Sequence, residues 1–237
     1  MLEHGHSKED IAQRLGRPQH ASYLRDWVYG GIDGAVTTFA VAAGVEGANL
    51  SPSIVLILGC ANLVADGFSM AAANYSGTKT EREEYGRLLN IEKKHIALVP
   101  DGEREEIRQA FAKKGFSGVE LEQIVTTISS NEAGWARTMM LEEYGLAPVL
   151  RSPLVAGFNT FASFALFGAI PLIPYLFGAG FTWSALATAV AFFVIGAAKS
   201  LWSLRSPLML GLETLLIGGT AAGLAFAVGI LLGKIWT

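Results

Sequence analysis

The sequence predicts an all-α membrane protein: five transmembrane helices, with a polar helical module inserted between the second and the third. Three observations carry this reading. Five apolar stretches, near residues 25–47, 53–76, 153–178, 182–203 and 208–235, are each long enough at 1.5 Å per residue to cross a hydrocarbon core of roughly 30 Å. Residues 77–151 hold most of the charge, although the chain is 51% hydrophobic and only 16% charged. With a cytoplasmic N-terminus, 17 of the 18 Lys and Arg fall inside and only Lys234 outside, which is the positive-inside asymmetry. The chain divides accordingly into a polar N-terminal arm (1–24), helices 1 and 2 (25–76), a cytoplasmic polar module (77–151) and helices 3 to 5 (152–237). A soluble protein with buried helices fits five nearly uncharged runs poorly, and the lipid bilayer is the expected surrounding, with no nucleic-acid partner.

Residues 1–22 are polar, with Ser7 as a candidate helix cap and Pro18 interrupting any long helix. The arm has no apolar signal-peptide core, so Trp27–Val45 is expected to stay as the first span. His4-Gly5-His6 could bind a metal, but such an exposed pair is more often solvated. The first span carries Tyr29-Gly30-Gly31-Ile32-Asp33-Gly34, whose small residues would leave room beside Asp33 for a hydrated ion or a second helix. Gly30-xxx-Gly34, Gly219-xxx-Gly223 and Gly229-xxx-Gly233 all suit close helix packing. Cys60, in the second span, is the only cysteine, so no intramolecular disulfide forms.

In the polar module, Thr78 to Leu98 reads as a continuation of the second span. Pro100-Asp101-Gly102 predicts a turn, followed by a helix over Glu103–Lys114 that ends at Gly115. Ser117 and Glu120 fit a capping box for a third helix through about Ile128. Asn131 is a candidate cap for a fourth, ending near Gly145 and Pro148.

The chemistry lies in the acids inside the spans. A carboxylate at membrane depth costs about 2.5–3.5 kcal/mol on insertion scales, so it is retained for ions, protons or substrate. Asp33 and Asp66 therefore point to a transporter rather than an enzyme. On the second span Asn62, Asp66, Met70 and Asn74 recur every four residues and form one stripe. Hard carboxylate, neutral amides and a soft thioether together suit Fe²⁺ or Mn²⁺ better than Ca²⁺ or Mg²⁺. The plainer reading of the stripe is interhelical hydrogen bonding with a packing Met. Glu213, about one turn into the last span, is a candidate for a proton role or for a structural one paired with Lys199 or Arg205.

Arg25-Asp26 followed by Gly30-Gly31-Ile32-Asp33-Gly34, then Asp66-Gly67-Phe68-Ser69-Met70, then Pro171-Leu172-Ile173-Pro174-Tyr175, resembles the vacuolar iron transporter family, in order and over nearly the whole chain from Ser22 onward. The resemblance implies a homodimer of five-span protomers with a metal path at the dimer interface. It also implies export of Fe²⁺ or Mn²⁺ from the cytosol in exchange for protons, with the metal as substrate and no permanently bound cofactor. A path-lining acid on the first span and Met on the second carry over to Asp33 and Met70. A second acid of the family's plant and eukaryotic members falls on Asn62, where this chain has an amide; Asp66, one turn away, is the candidate to supply the missing charge.

The resemblance further implies that the cytoplasmic module collects metal before transport, through Glu92, His95, Glu103, Glu106, Met139, Met140 and Glu143. His95 stands where a Glu is usual. The spacings agree independently: Glu92/His95 and Glu103/Glu106 are i,i+3 pairs and Met139/Glu143 is an i,i+4 pair, each on one helix face. Carboxylates with one imidazole suit Fe²⁺, Mn²⁺ or Zn²⁺. A charge run such as Glu103-Arg104-Glu105-Glu106 is otherwise usually a solvated face. Two alternatives remain. Glu92-Lys93-Lys94-His95 is the Glu-x-x-His that di-iron bundles use twice, which would give a membrane-anchored di-iron oxidase, though the chain has no second copy. A passive divalent-cation channel is the other. Short loops favour a bacterial inner membrane, with a vacuolar membrane as the alternative.

Overall fold

The computed structural model describes residues 5–16, 20–149 and 151–236; His4 and Pro18 lie outside them. Every regular element among the described residues is helical. In chain order these are α1 (Lys8–Gly16), α2 (Leu24–Gly47), α3 (Pro52–Leu98), α4 (Pro100–Lys113), α5 (Gly118–Ser129), α6 (Glu132–Glu142), α7 (Pro153–Ala169), a 3₁₀ turn (Ile170–Leu172), α8 (Ile173–Leu176), α9 (Gly180–Ala198), a second 3₁₀ turn (Lys199–Trp202) and α10 (Pro207–Trp236). Five stretches are long and apolar enough to cross a membrane: Leu24–Gly47, Pro52–Leu98, Pro153–Leu176, Gly180–Trp202 and Pro207–Ile235. The chain is a multi-pass membrane protein whose residues cluster into two compact units, Met1–Gly77 with Arg151–Thr237, and Thr78–Leu150.

In the first unit glycines set the helix spacing. A Cβ at Gly30 would run into the Thr160 carbonyl, and one at Gly34 into the Phe164 carbonyl, so this face of α2 lies directly on α7. Gly30-xxx-Gly34 is thus a packing seam. Gly229 repeats the arrangement between α10 and the Gly44 carbonyl of α2, whereas a Cβ at Gly219 or Gly223 would meet nothing within 4 Å. The core between these seams holds Phe39, Val55, Leu172 and Phe192, with Phe39 stacked on Phe181 at 5.7 Å. Pro171 and Pro174 explain why α7 gives way to a 3₁₀ turn and then to α8, because each lacks the amide that would continue the α ladder. Ser184 Oγ donates to the Pro171 carbonyl at 2.7 Å. At the N-terminal end, Ser7 Oγ accepts from the Asp10 amide at 3.0 Å and caps α1, as its sequence position predicts.

In the second unit the last part of α3 packs with α4, α5 and α6 around Ile96, Ile107, Val125, Trp135, Ala136 and Met139. The continuation of the second span to Leu98 is as expected. Two local expectations fail. The break falls at Val99 alone (φ −137°, ψ 52°), and Pro100 opens α4, because a proline's missing amide costs nothing in a helix's first turn. The capping box does not form: Ser117 makes no side-chain cap bond, and the left-handed Gly118 (φ 58°) removes the direct step from extended to helical backbone that such a box needs. Asn131 does cap α6, its Oδ1 accepting from the Gly134 amide at 3.1 Å.

Candidate functional site

Two groups of polar side chains stand out, one in each unit. In the membrane unit, Asp33 is half-buried on α2, and Thr37 one turn later folds its hydroxyl back onto the Asp33 carbonyl at 2.8 Å. Asn62 of α3 donates its amide to Thr37 Oγ1 at 3.1 Å and to Thr38 Oγ1 at 3.3 Å. Both bonds use the amide nitrogen, so the carbonyl oxygen keeps its acceptor capacity. Asp66 is exposed on the surface of the single chain, near enough to Asp33 for the two carboxylates to repel each other, and Met70 is half-buried one turn further. Asp33, Asn62 and Asp66 therefore gather at one level of α2 and α3. The hydroxyls of Thr37 and Thr38, which the sequence places about one turn beyond Asp33, fix the Asn62 amide.

Asn74 does not belong to that group. Its amide donates to Asp26 Oδ1 at 2.8 Å and to Thr160 Oγ1 at 2.7 Å, joining α3 to α2 and α7. Asp26 is 1% exposed and is also held by Arg151, whose guanidinium lies over the Tyr23 ring. At this end of the stripe Asn74 makes the interhelical hydrogen bonds of the plainer reading, and they join it to a buried ion pair. Glu213 is engaged by Arg205 at 3.1 Å, in keeping with the paired role among its two candidate readings.

In the polar unit α3 contributes Glu92 and His95, α4 contributes Glu103 and Glu106, α6 contributes Met139 and Met140, and Glu143 follows directly after α6. Glu92 is fully buried and Glu103 is 5% exposed, so neither lies on a solvated face. One oxygen of each, Oε2, is buried with no hydrogen-bond partner. His95 Nδ1 stands 3.5 Å from Glu103 Oε1, and the Tyr144 hydroxyl donates to Glu92 Oε1 at 2.9 Å. Glu106, Met139 and Glu143 line a cavity of about 430 Å³, together with Lys114, which is paired with Glu142.

Burial and the neighbouring carboxylates of Glu106, Glu92 and Glu143 push the Glu103 carboxyl up to about 7. Burial and the charges of Glu92 and Glu106 raise Glu143 as well. Burial and Glu92 hold the Tyr144 phenol well above its ordinary value, so it stays a donor. Crowded, partly desolvated acids with orphaned oxygens are a donor set suited to a divalent cation. Among the described residues, no three His, Cys, Asp or Glu side chains are drawn together tightly enough to hold one ion as they stand. The i,i+3 pairs did not reveal Tyr144, whose part depends on the chain turning back after α6.

Five spans, acids at membrane depth and a separate acidic helical unit define a multi-pass membrane transporter. The chain belongs to the VIT family, with the match running over residues 24–230. It is 34% identical over 210 residues to the vacuolar iron transporter of Centaurea cyanus, which covers 86% of each chain. It is 34% identical over 210 residues to vacuolar iron transporter 1 of Arabidopsis thaliana, covering 86% of this chain and 84% of the relative. Vacuolar iron transporter 2 of Oryza sativa subsp. japonica is 31% identical over 233 residues, or 93% and 95% of the two chains.

Proposed function

We propose that the chain exports Fe²⁺, Mn²⁺ or both from the cytosol across a membrane in exchange for protons, and does so as a homodimer. Iron is the substrate named for the plant relatives, and both ions accept the same oxygen-rich ligands. The observation that carries the reading is Asp66, a carboxylate in mid-span that is exposed on a single chain and faces Asp33. In lipid such a group needs cover, and a second copy supplies it while enclosing a path between the first two spans of each protomer.

In the proposed cycle the polar unit faces the cytosol and its carboxylates collect the metal. Glu92, Glu103, Glu106 and Glu143 close on the ion with His95 and the thioethers of Met139 and Met140, displacing the proton that the raised Glu103 carboxyl holds. Zn²⁺ suits the same donors. Asp33 and Asp66 then take the metal when deprotonated, with the Asn62 carbonyl and Met70 sulfur beside them. Protons arriving from the far side neutralise the same carboxylates and release the ion. One pair of groups thus couples both flows. A bacterial inner membrane or a vacuolar membrane would each suit a cytosolic polar unit.

The test is metal-driven proton movement in liposomes that enclose a pH-sensitive dye, with Fe²⁺ kept anaerobic or Mn²⁺ added outside. Asp33→Asn is expected to abolish it while the dimer still assembles. Asp66→Asn is expected to do the same, because Asn62 leaves Asp66 as the second charge. Metal entry that ignores the pH gradient would instead identify a passive channel, and intact exchange in Asp66→Asn would remove Asp66 from the coupling.

A further inference from the structure

A groove of about 590 Å³ lies in the membrane unit where the first turn of α2 meets the 3₁₀ turn after α9 and the start of α10. Its rim is cationic. Of the basic residues flanking the spans here, Arg151 is held by Asp26 and Arg205 by Glu213, whereas Arg25 and Lys199 have no acidic partner among the described residues. Both line the groove, and no acid does. Its floor is apolar, made of Val28, Ile32 and the buried Leu210. Tyr29 and Trp202 stand on its wall, 59% and 63% exposed, as amphipathic rings do at a bilayer–water boundary.

We propose that this groove binds an anionic phospholipid, with the headgroup phosphate on Arg25 and Lys199 and the upper acyl chain along Val28, Ile32 and Leu210. The two cations sit at the end of the spans, where a lipid phosphate lies, and basic pockets between spans on the cytoplasmic side are built for such headgroups. The hydroxyls of Ser22 and Ser203 at the rim add hydrogen-bond donors for phosphate oxygens. A free phosphate would use the rim but leave the apolar floor bare. A lipid uses both, and its tails continue into the bilayer. The site is separate from Asp33 and Asp66, so it fixes the junction of α2, α9 and α10 in the membrane and does not handle the transported ion.

The experiment titrates the full-length protein in detergent micelles with brominated phosphatidylglycerol or brominated phosphatidylcholine and follows quenching of the fluorescence that is lost in Trp202→Phe. The anionic lipid is expected to act at roughly tenfold or more lower mole fraction. That preference should disappear in Arg25→Gln/Lys199→Gln and persist in the charge-preserving Arg25→Lys and in the charge-matched control Lys93→Gln/Lys94→Gln. Millimolar inorganic phosphate should leave it intact. Equal quenching by the two lipids would overturn the proposal, as would an unchanged preference in the double variant. Competition by free phosphate would make this a small-anion site, and loss of oligomer mass in the double variant would make it a contact between copies; either outcome also overturns it.

Discussion

Glu103 shows at a single residue what the acidic unit is poised to do. Its carboxyl titrates near 7 in the folded chain and near 4.5 when unfolded, chiefly because burial and then three other carboxylates disfavour its charge. Across that window the folded state holds more proton than the unfolded one, so stability falls as pH rises from about 4.5 to about 7 and stays low above it. The full effect is on the order of 3 kcal/mol. Hydrogen exchange of α4 amides in the full-length protein, corrected for intrinsic rates, should show protection falling between pH 5 and 7.5. Mn²⁺ at pH 7.5 should restore the protection. Glu103→Gln should flatten the pH dependence, raise protection at pH 7.5 and weaken the response to metal. A slope unchanged in Glu103→Gln would move the titration to another group.

At the scale of elements, the spans are held by backbone approach and by one buried ion pair. Gly34→Ala sets a methyl against the Phe164 carbonyl, which belongs to a helix backbone that cannot swing aside. It should cost about 1–3 kcal/mol and lower the thermal midpoint in detergent, while Gly219→Ala, which meets nothing in the single chain, should shift it little. Arg151→Met should cost more, about 3–5 kcal/mol, because it strands the Asp26 carboxylate with only the Asn74 amide against it. Melting followed by size-exclusion after heating separates the three variants. The spans were legible because uninterrupted apolar length leaves few alternatives. The fate of the Asn62-to-Asn74 stripe was not. Positions four apart drift by roughly 40° per step on a helix of 3.6 residues per turn, so after three steps Asn74 reaches α7 as well as α2, while Asn62 bonds to α2 alone. Likewise Pro100 is the same punctuation whether it ends one helix or begins the next, and only the packing of Ile107 and Trp135 into one core decides it.

For the whole molecule, the proposed dimer makes a sharper demand than either unit does. If the Asp66 face of α3 is covered by its own copy, a residue on that face near the two-fold axis meets itself. Ala73 lies two turns beyond Asp66 on the same side of α3, between Met70 and the Asn74 bridge, and is exposed on the single chain. In a Cys60→Ser background, which removes the one exposed native thiol, Ala73→Cys should therefore give a covalent dimer on mild oxidation in membranes. Phe158→Cys, on a 71% exposed position of α7, should stay monomeric under the same oxidation. Mn²⁺ bound between the paired Asp33 and Asp66 sites should change the rate of cross-linking, since the ion draws together four carboxylates that otherwise repel. Without that draw the same carboxylates hold the two copies apart, so Asp66→Asn should cross-link at a rate that no longer responds to metal. Cross-linking from Phe158→Cys and none from Ala73→Cys would put the contact on the α7 side. The path would then have to run within one chain, past the Asn62 carbonyl, and Asp66 would face lipid uncovered at a cost of about 2.5–3.5 kcal/mol.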